Sequence, residues 1–121
     1  MTAIAHPTPA QAAGGAAEDR AERFLAEQGL AIVARNYRTR LGEIDLVARE
    51  GATLVFVEVR LRSDDRFGGA AASITPAKRR RIVAAARQFL MRLPRTPACR
   101  FDVIALGGER PEWIRGAFDA S

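Results

Sequence analysis

Cysteine and histidine are almost missing from this chain. Cys99 is the only cysteine, so no disulfide can form within it, and no histidine near it in sequence could serve as a base for a thiol nucleophile. The only histidine, His6, has no partner nearby and carries no ligand or catalytic reading. No stretch approaches the roughly 18 consecutive apolar residues that a membrane span requires. The first residues lack the basic region and apolar run of a secretory signal. Together these absences predict a cytoplasmic protein with no membrane partner. A length of 121 residues suits one compact domain, and 48% apolar with 27% charged residues is the balance of a globular chain.

Lysine is also scarce: 18 of the 19 cations are arginine, and Lys78 is the exception. The net charge is +5, but its distribution is more telling. Residues 35–100 hold 15 basic and 6 acidic side chains, whereas the rest hold 4 basic and 8 acidic. A surplus confined to the middle of the chain predicts one electropositive surface, which fits a polyanion partner such as nucleic acid. Abundant arginine alone would raise the total without segregating it.

Residues Met1 to Ala17 are rich in Ala, Pro, Thr and Gly, which predicts a flexible tail, leaving residues 18–121 as a single domain. From Glu18 onward, Ala21, Phe24 and Leu25 give a helical stripe that Gly29 ends. Leu30 to Arg38 and Leu41 to Arg49 read as strands. Thr53 to Arg62 is the strongest strand, and its near-continuous apolar run suits a central position covered on both faces. A loop from Ser63 to Ile74, with Gly68, Gly69 and Ala70 in it, leads to Thr75-Pro76, a hydroxyl cap before proline that starts a second helix. Phe101 to Leu106 is a further strand, and Trp113 to Phe118 a short closing element. The expected order is α-β-β-β-α-β, an α/β fold.

Acidic residues inside strong strands stand out from this pattern. Glu58 interrupts the most apolar segment, and Glu43 and Asp45 sit two apart on the preceding strand, sharing a face if alternation holds. A hairpin turning at Glu50-Gly51-Ala52 with an even-numbered loop puts Asp45 and Glu58 on one side; in direct opposition their side-chain origins stand about 5 Å apart. Two such carboxylates repel. Either arginines such as Arg60 and Arg40 neutralise them, or a divalent cation sits between them. Magnesium takes one or two carboxylates with waters and phosphate oxygens, whereas zinc prefers the histidine and cysteine ligands absent here. Glu18 is a third candidate acid, although the helix dipole alone would favour a glutamate there. Lys78, Arg79, Arg80 and Arg81 load the start of the second helix with cations that the dipole disfavours; a bound phosphate would relieve the conflict, and a solvated charge run would tolerate it.

Glu18-Asp19-Arg20-Ala21, Arg35-Asn36-Tyr37-Arg38, Gly42-Glu43-Ile44-Asp45-Leu46, Val55-Phe56-Val57-Glu58-Val59-Arg60, Lys78 and Arg100-Phe101-Asp102-Val103 follow one another in a recognisable order. In this the chain resembles the PD-(D/E)XK nuclease superfamily, and more specifically the YraN-like uncharacterised bacterial proteins (uncharacterised family 0102), relatives of the archaeal Holliday-junction resolvases. The resemblance implies a restriction-endonuclease-like mixed sheet flanked by helices and metal-dependent cleavage of DNA phosphodiesters. It implies that Asp45, Glu58 and the Val59 carbonyl hold Mg2+ or Mn2+, with Glu18 as supporting acid. The superfamily motif ends in lysine, which positions and activates water, but Arg60 stands there; Lys78 is a candidate for the missing ammonium. Nucleic-acid contacts fall to Arg60, Lys78, Arg79, Arg80, Arg81 and Arg40. Resolvase-like relatives use two sites for paired cuts, which implies a homodimer. Two other readings fit the same residues: a nucleic-acid-binding module without catalysis, and a protein-interaction domain whose acids pair with arginine.

Overall fold

The computed structural model describes residues 9–61 and 69–120. In chain order the elements are α1 (Pro9–Glu27), β1 (Ala31–Arg38), β2 (Glu43–Glu50), β3 (Thr53–Leu61), α2 (Gly69–Ala72), α3 (Pro76–Met91), β4 (Cys99–Leu106) and β5 (Glu112–Phe118). The strands form one sheet in the order β1-β2-β3-β4-β5. Neighbours are antiparallel except β3 and β4, which run parallel. A parallel pair needs a crossover of a dozen or more residues, and α3 provides its helix. The fold is thus a mixed sheet flanked by helices, with β3 in the middle and its segment from Leu54 to Glu58 buried throughout. Among the described residues, no helix is long and apolar enough to cross a membrane.

Each face of the sheet carries its own core. Ala21 and Leu25 of α1 pack with Leu46, Ala48, Val55 and Val57. On the other face Ile82, Val83, Ala85 and Ala86 of α3 pack with Val47 and Phe56. The start of α3 follows from its sequence. Thr75 is extended, Pro76 occupies the first turn, and the Thr75 hydroxyl accepts the Lys78 amide at 3.1 Å.

Three elements depart from the sequence expectation. The first helix begins at Pro9 rather than Glu18, so residues 9–17 of the expected tail are helical. Alanine has the highest helix propensity and proline suits the first helical position, so this stretch is helical without the bulky apolar stripe that marks a helix in sequence. Residues 1–8 of the expected tail lie outside the described residues. Trp113 to Phe118 is not merely a closing element but most of a fifth strand, β5, paired with β4. Within the expected loop, Gly69–Ala72 forms one short helix, while Arg62, Ser63 and Gly68 lie outside the described residues.

The register shifts between Ile32 and Ala34 where β1 pairs with β2, and between Phe101 and Val103 where β4 pairs with β5. A further break in alternation lies on β1 and β2 beside Asp45. Along β2, Leu46 and Ala48 belong to the α1 core and Val47 to the α3 core, as alternation requires. Ile44 should therefore face α1, yet it packs in the α3 core. The same switch occurs on β1, where Arg35 reaches Glu18 of α1 but Tyr37 meets Phe89 of α3. Register pairs Arg35 with Leu46 and Tyr37 with Ile44, bracketing Asn36 and Asp45. Asn36 has φ 54°, a left-handed conformation that asparagine tolerates better than most residues. This one residue breaks the alternation of both strands beside Asp45. Just before it, β2 approaches α3 so closely that a Cβ on Gly42 would lie 2.2 Å from the Arg81 carbonyl oxygen.

Candidate metal and phosphate site

A two-residue turn, Gly51-Ala52, joins β2 to β3, with Gly51 at φ +59°. Pairing runs from Glu50↔Thr53 to Leu46↔Val57 and stops there, one step before Asp45 and Glu58 would face each other. Instead of a further rung, the Val59 amide donates to Asp45 Oδ2 at 2.9 Å. The carboxylate thereby caps the end of the ladder. Beyond this point lies a cleft of about 530 Å³ whose lining includes Glu18, Asp45, Glu58, Val59, Arg60 and Ser73. The sheet irregularity thus gathers acids from α1, β2 and β3 around one opening.

Glu58 is only 5% exposed. Burial, reinforced by the Asp45 charge, pushes its carboxyl up to about 7, although Lys78 and Arg60 pull the other way. Burial also raises Asp45, and the Glu18 charge adds to this, while the Val59 amide and Lys78 oppose it. The cations nearby are therefore too few or too distant to compensate both carboxylates. Lys78 Nζ stands 3.7 Å from Glu58 Oε1, longer than a hydrogen bond. Arg60 does not clasp either acid; it donates to the Ser73 carbonyl at 3.2 Å and hydroxyl at 3.3 Å. Arg40, the other expected neutraliser, is exposed at the β1–β2 turn.

The remaining expected residues divide. Glu18 lines the cleft, with Oε2 held by Arg35 Nε at 3.0 Å. The same guanidinium binds Asp19, Glu22 and the Gly15 carbonyl, which fixes α1 over β1. Glu43 is not among the residues that line the cleft; it pairs with Arg38 at 3.4 Å and lines a small hollow with Lys78 and Arg81. The four cations of α3 diverge, as a helix turning about 100° per residue requires. Lys78 turns to Glu58, Arg79 donates to the Ile74 and Ala71 carbonyls, Arg80 lines a separate groove, and Arg81 lies against the β1–β2 turn. Thr75 already satisfies one amide of that helix end. Trp113, Tyr37 and Phe118 are packing residues: Trp113 meets Phe24 edge-on and donates to Asp102, Tyr37 meets Phe89, and Phe118 stacks on Phe101.

Two residues around the site were given no role from sequence, although Arg35 lies in one of the stretches that carry the resemblance. Ser73 anchors Arg60, but a serine ahead of a helix cap looks like any loop residue. Arg35 holds Glu18 from a strand where the face of each residue depends on Asn36. Among the described residues, no group of three or more His, Cys, Asp or Glu side chains is placed to hold a metal ion, so any ion here would rest on fewer side chains. An open set of carboxylate and carbonyl oxygens is the kind that magnesium or manganese shares with water and phosphate. The observation that bears on the fit is electrostatic: a buried carboxyl, Glu58, stands beside a half-buried one, Asp45, and both are pushed towards their neutral forms chiefly by burial, which a dication would offset.

The profile of an uncharacterised protein family, UPF0102, matches residues 17–106. A UPF0102 protein of Ralstonia nicotianae is 62% identical over 117 residues, covering 93% of this chain and 90% of its own length. Another from Ralstonia pickettii is 62% identical over 118 residues, covering 93% and 94%. One from Cupriavidus taiwanensis is 63% identical over 111 residues, covering 91% and 85%.

Proposed function

This chain belongs to the uncharacterised protein family UPF0102, and we propose that it is a nucleic-acid-binding protein that cleaves DNA phosphodiester bonds with the help of Mg2+ or Mn2+. The observation that carries this reading is the pair at the point where β2 and β3 part, a buried Glu58 beside a half-buried Asp45, both pushed towards their neutral forms. A structural ion pair in that position would be matched by close cations, as Asp102 is by Arg100 at 3.0 Å.

Asp45, Glu58 and the Val59 carbonyl are the groups to hold the ion, with Glu18 near enough to influence Asp45 electrostatically. When bound, the ion supplies polarisation of the phosphate and a lowered pKa for the attacking water. The Val59 amide fixes Asp45, which leaves that carboxylate preorganised rather than free to rotate. Arg60, held at Ser73, keeps a permanent positive charge at the cleft wall and suits a phosphate oxygen. Lys78 differs in kind: its ammonium can both stabilise the pentavalent phosphorus and give a proton to the departing oxygen, which a guanidinium cannot.

The direct test incubates the protein with branched, duplex and single-stranded DNA and Mg2+ or Mn2+. The expected result is cleavage that Asp45→Ala abolishes. One observation favours a second reading, binding without catalysis: Arg60 occupies the position where a lysine would handle a proton. That reading expects salt-sensitive binding without metal and every substrate left uncut. Calorimetric titration with Mn2+ separates the two, since only the first expects heat that disappears in Asp45→Ala.

A further inference from the structure

A second basin lies on the other side of the short connection into α3. It encloses about 600 Å³ between α3 and the end of β5, and Pro76, Arg79, Arg80, Arg87, Phe118 and Asp119 are among the residues that line it. Arg80 and Arg87 are seven residues apart, two turns of helix, so both project from one face at a spacing of about 10 Å. Both are exposed. Arg79 forms the inner wall: its Nε and NH2 atoms bond backbone carbonyls, and its guanidinium lies 5.5 Å from the centre of the Phe118 ring. Three arginines against one carboxylate, Asp119, give the groove a positive balance.

This groove and the acidic cleft are neighbours. Ser73 lines the cleft and Pro76 the groove. Three residues of chain span at most about 10 Å. The two basins therefore adjoin, and one DNA strand can run past both. We propose that the α3–β5 groove is a second phosphate-binding site, in which Arg80 and Arg87 grip the DNA backbone beside the phosphate that enters the cleft of Asp45 and Glu58. This inference rests on the nucleic-acid reading of the cleft and extends it. The protein reads a stretch of duplex flanking its reactive phosphate, and the flanking contacts carry no base information.

The test measures duplex DNA binding against salt for the full chain and for the double variant Arg80→Gln, Arg87→Gln, which keeps helix propensity and removes two charges. Each phosphate contact contributes about 0.9 to the slope of log K against log salt, so the variant should lose about 1.8. Between 50 and 200 mM salt, that is about a tenfold difference in how steeply affinity falls. Asp119→Asn should move binding the opposite way, towards tighter association. Mn2+ titration of the double variant should match the unaltered protein, which establishes that the variant is folded and its cleft intact. An unchanged slope alongside an unchanged Mn2+ titration overturns the groove assignment and leaves the nuclease reading standing. An unaltered protein that binds no DNA at all overturns both.

Discussion

Replacing Glu58 by glutamine should make the metal-free protein more stable at pH 8, although it removes a charged residue from the proposed reaction site. In the native fold the Glu58 carboxyl is pushed from an ordinary 4.5 up to about 7, chiefly by burial. The unfolded chain gives up that proton near 4.5, so between 4.5 and 7 the folded state binds a proton that the unfolded state does not. Folding stability must then fall as pH rises through this window and level off above it. At about 1.4 kcal/mol per pKa unit, the full loss is about 3 kcal/mol. Asp45, also raised, changes stability in the same direction.

Glu58→Gln removes most of this penalty while keeping shape and burial. Urea unfolding should find it about 3 kcal/mol more stable than the unaltered chain at pH 8, and within about 1 kcal/mol of it at pH 5. A dication at the site should erase the difference from the other side. At 100 times its dissociation constant, Mn2+ adds about 2.7 kcal/mol to the unaltered protein and far less to the variant. A variant less stable than the parent at pH 8 would refute the reasoning, since it would mean that Lys78 and Arg60 already overcompensate the charge.

The geometry sets three further outcomes. Arg60→Lys restores a side chain that can handle a proton and should raise the cleavage rate, whereas Lys78→Ala should lower it by about ten- to a hundredfold, both read as initial rates on one DNA substrate. Gly42→Ala places a methyl 2.2 Å from the Arg81 carbonyl oxygen and should cost about 1–3 kcal/mol in urea unfolding; a cost near zero would mean that α3 shifts freely. Asn36→Val forces a β-branched residue into φ 54° and should cost about 1–3 kcal/mol, while Asn36→Gly should be tolerated, and Mn2+ titration of the valine variant should weaken because Asp45 loses its placement.

Much of the fold was legible because local signals and tertiary demands agree. The apolar run around Phe56 can only be a strand covered on both faces, and β3 is the middle strand. Thr75-Pro76 forms the cap it suggests. The early part of α1 was not legible because a helix made of alanine and glycine offers no stripe for periodicity to find. β5 was seen only as a closing element; it is short, none of its residues is fully buried, and Gly116 at φ +58° interrupts it. In the site, Asp45 and Glu58 could be paired from sequence alone because any even loop centred on Gly51-Ala52 leaves them on one side. Glu43 could not be placed, since its face depends on the backbone angle of Asn36 on the neighbouring strand.

That failure is informative about how the site is made. Strict alternation on β2 would send Ile44 to the α1 face, continue the ladder past Leu46, and leave Asp45 as one acid beside another in a closed sheet. Such an arrangement has repulsion and no opening. Beside the left-handed Asn36, Ile44 and Tyr37 instead pack with the α3 core, and past the end of the β2–β3 ladder the Val59 amide bonds Asp45. The rules that make sequence readable are those of regular pairing, and a cleft between two strands requires that pairing to end. In this chain one such break occurs beside Asp45 and Glu58, and it is there that the proposed ion site opens.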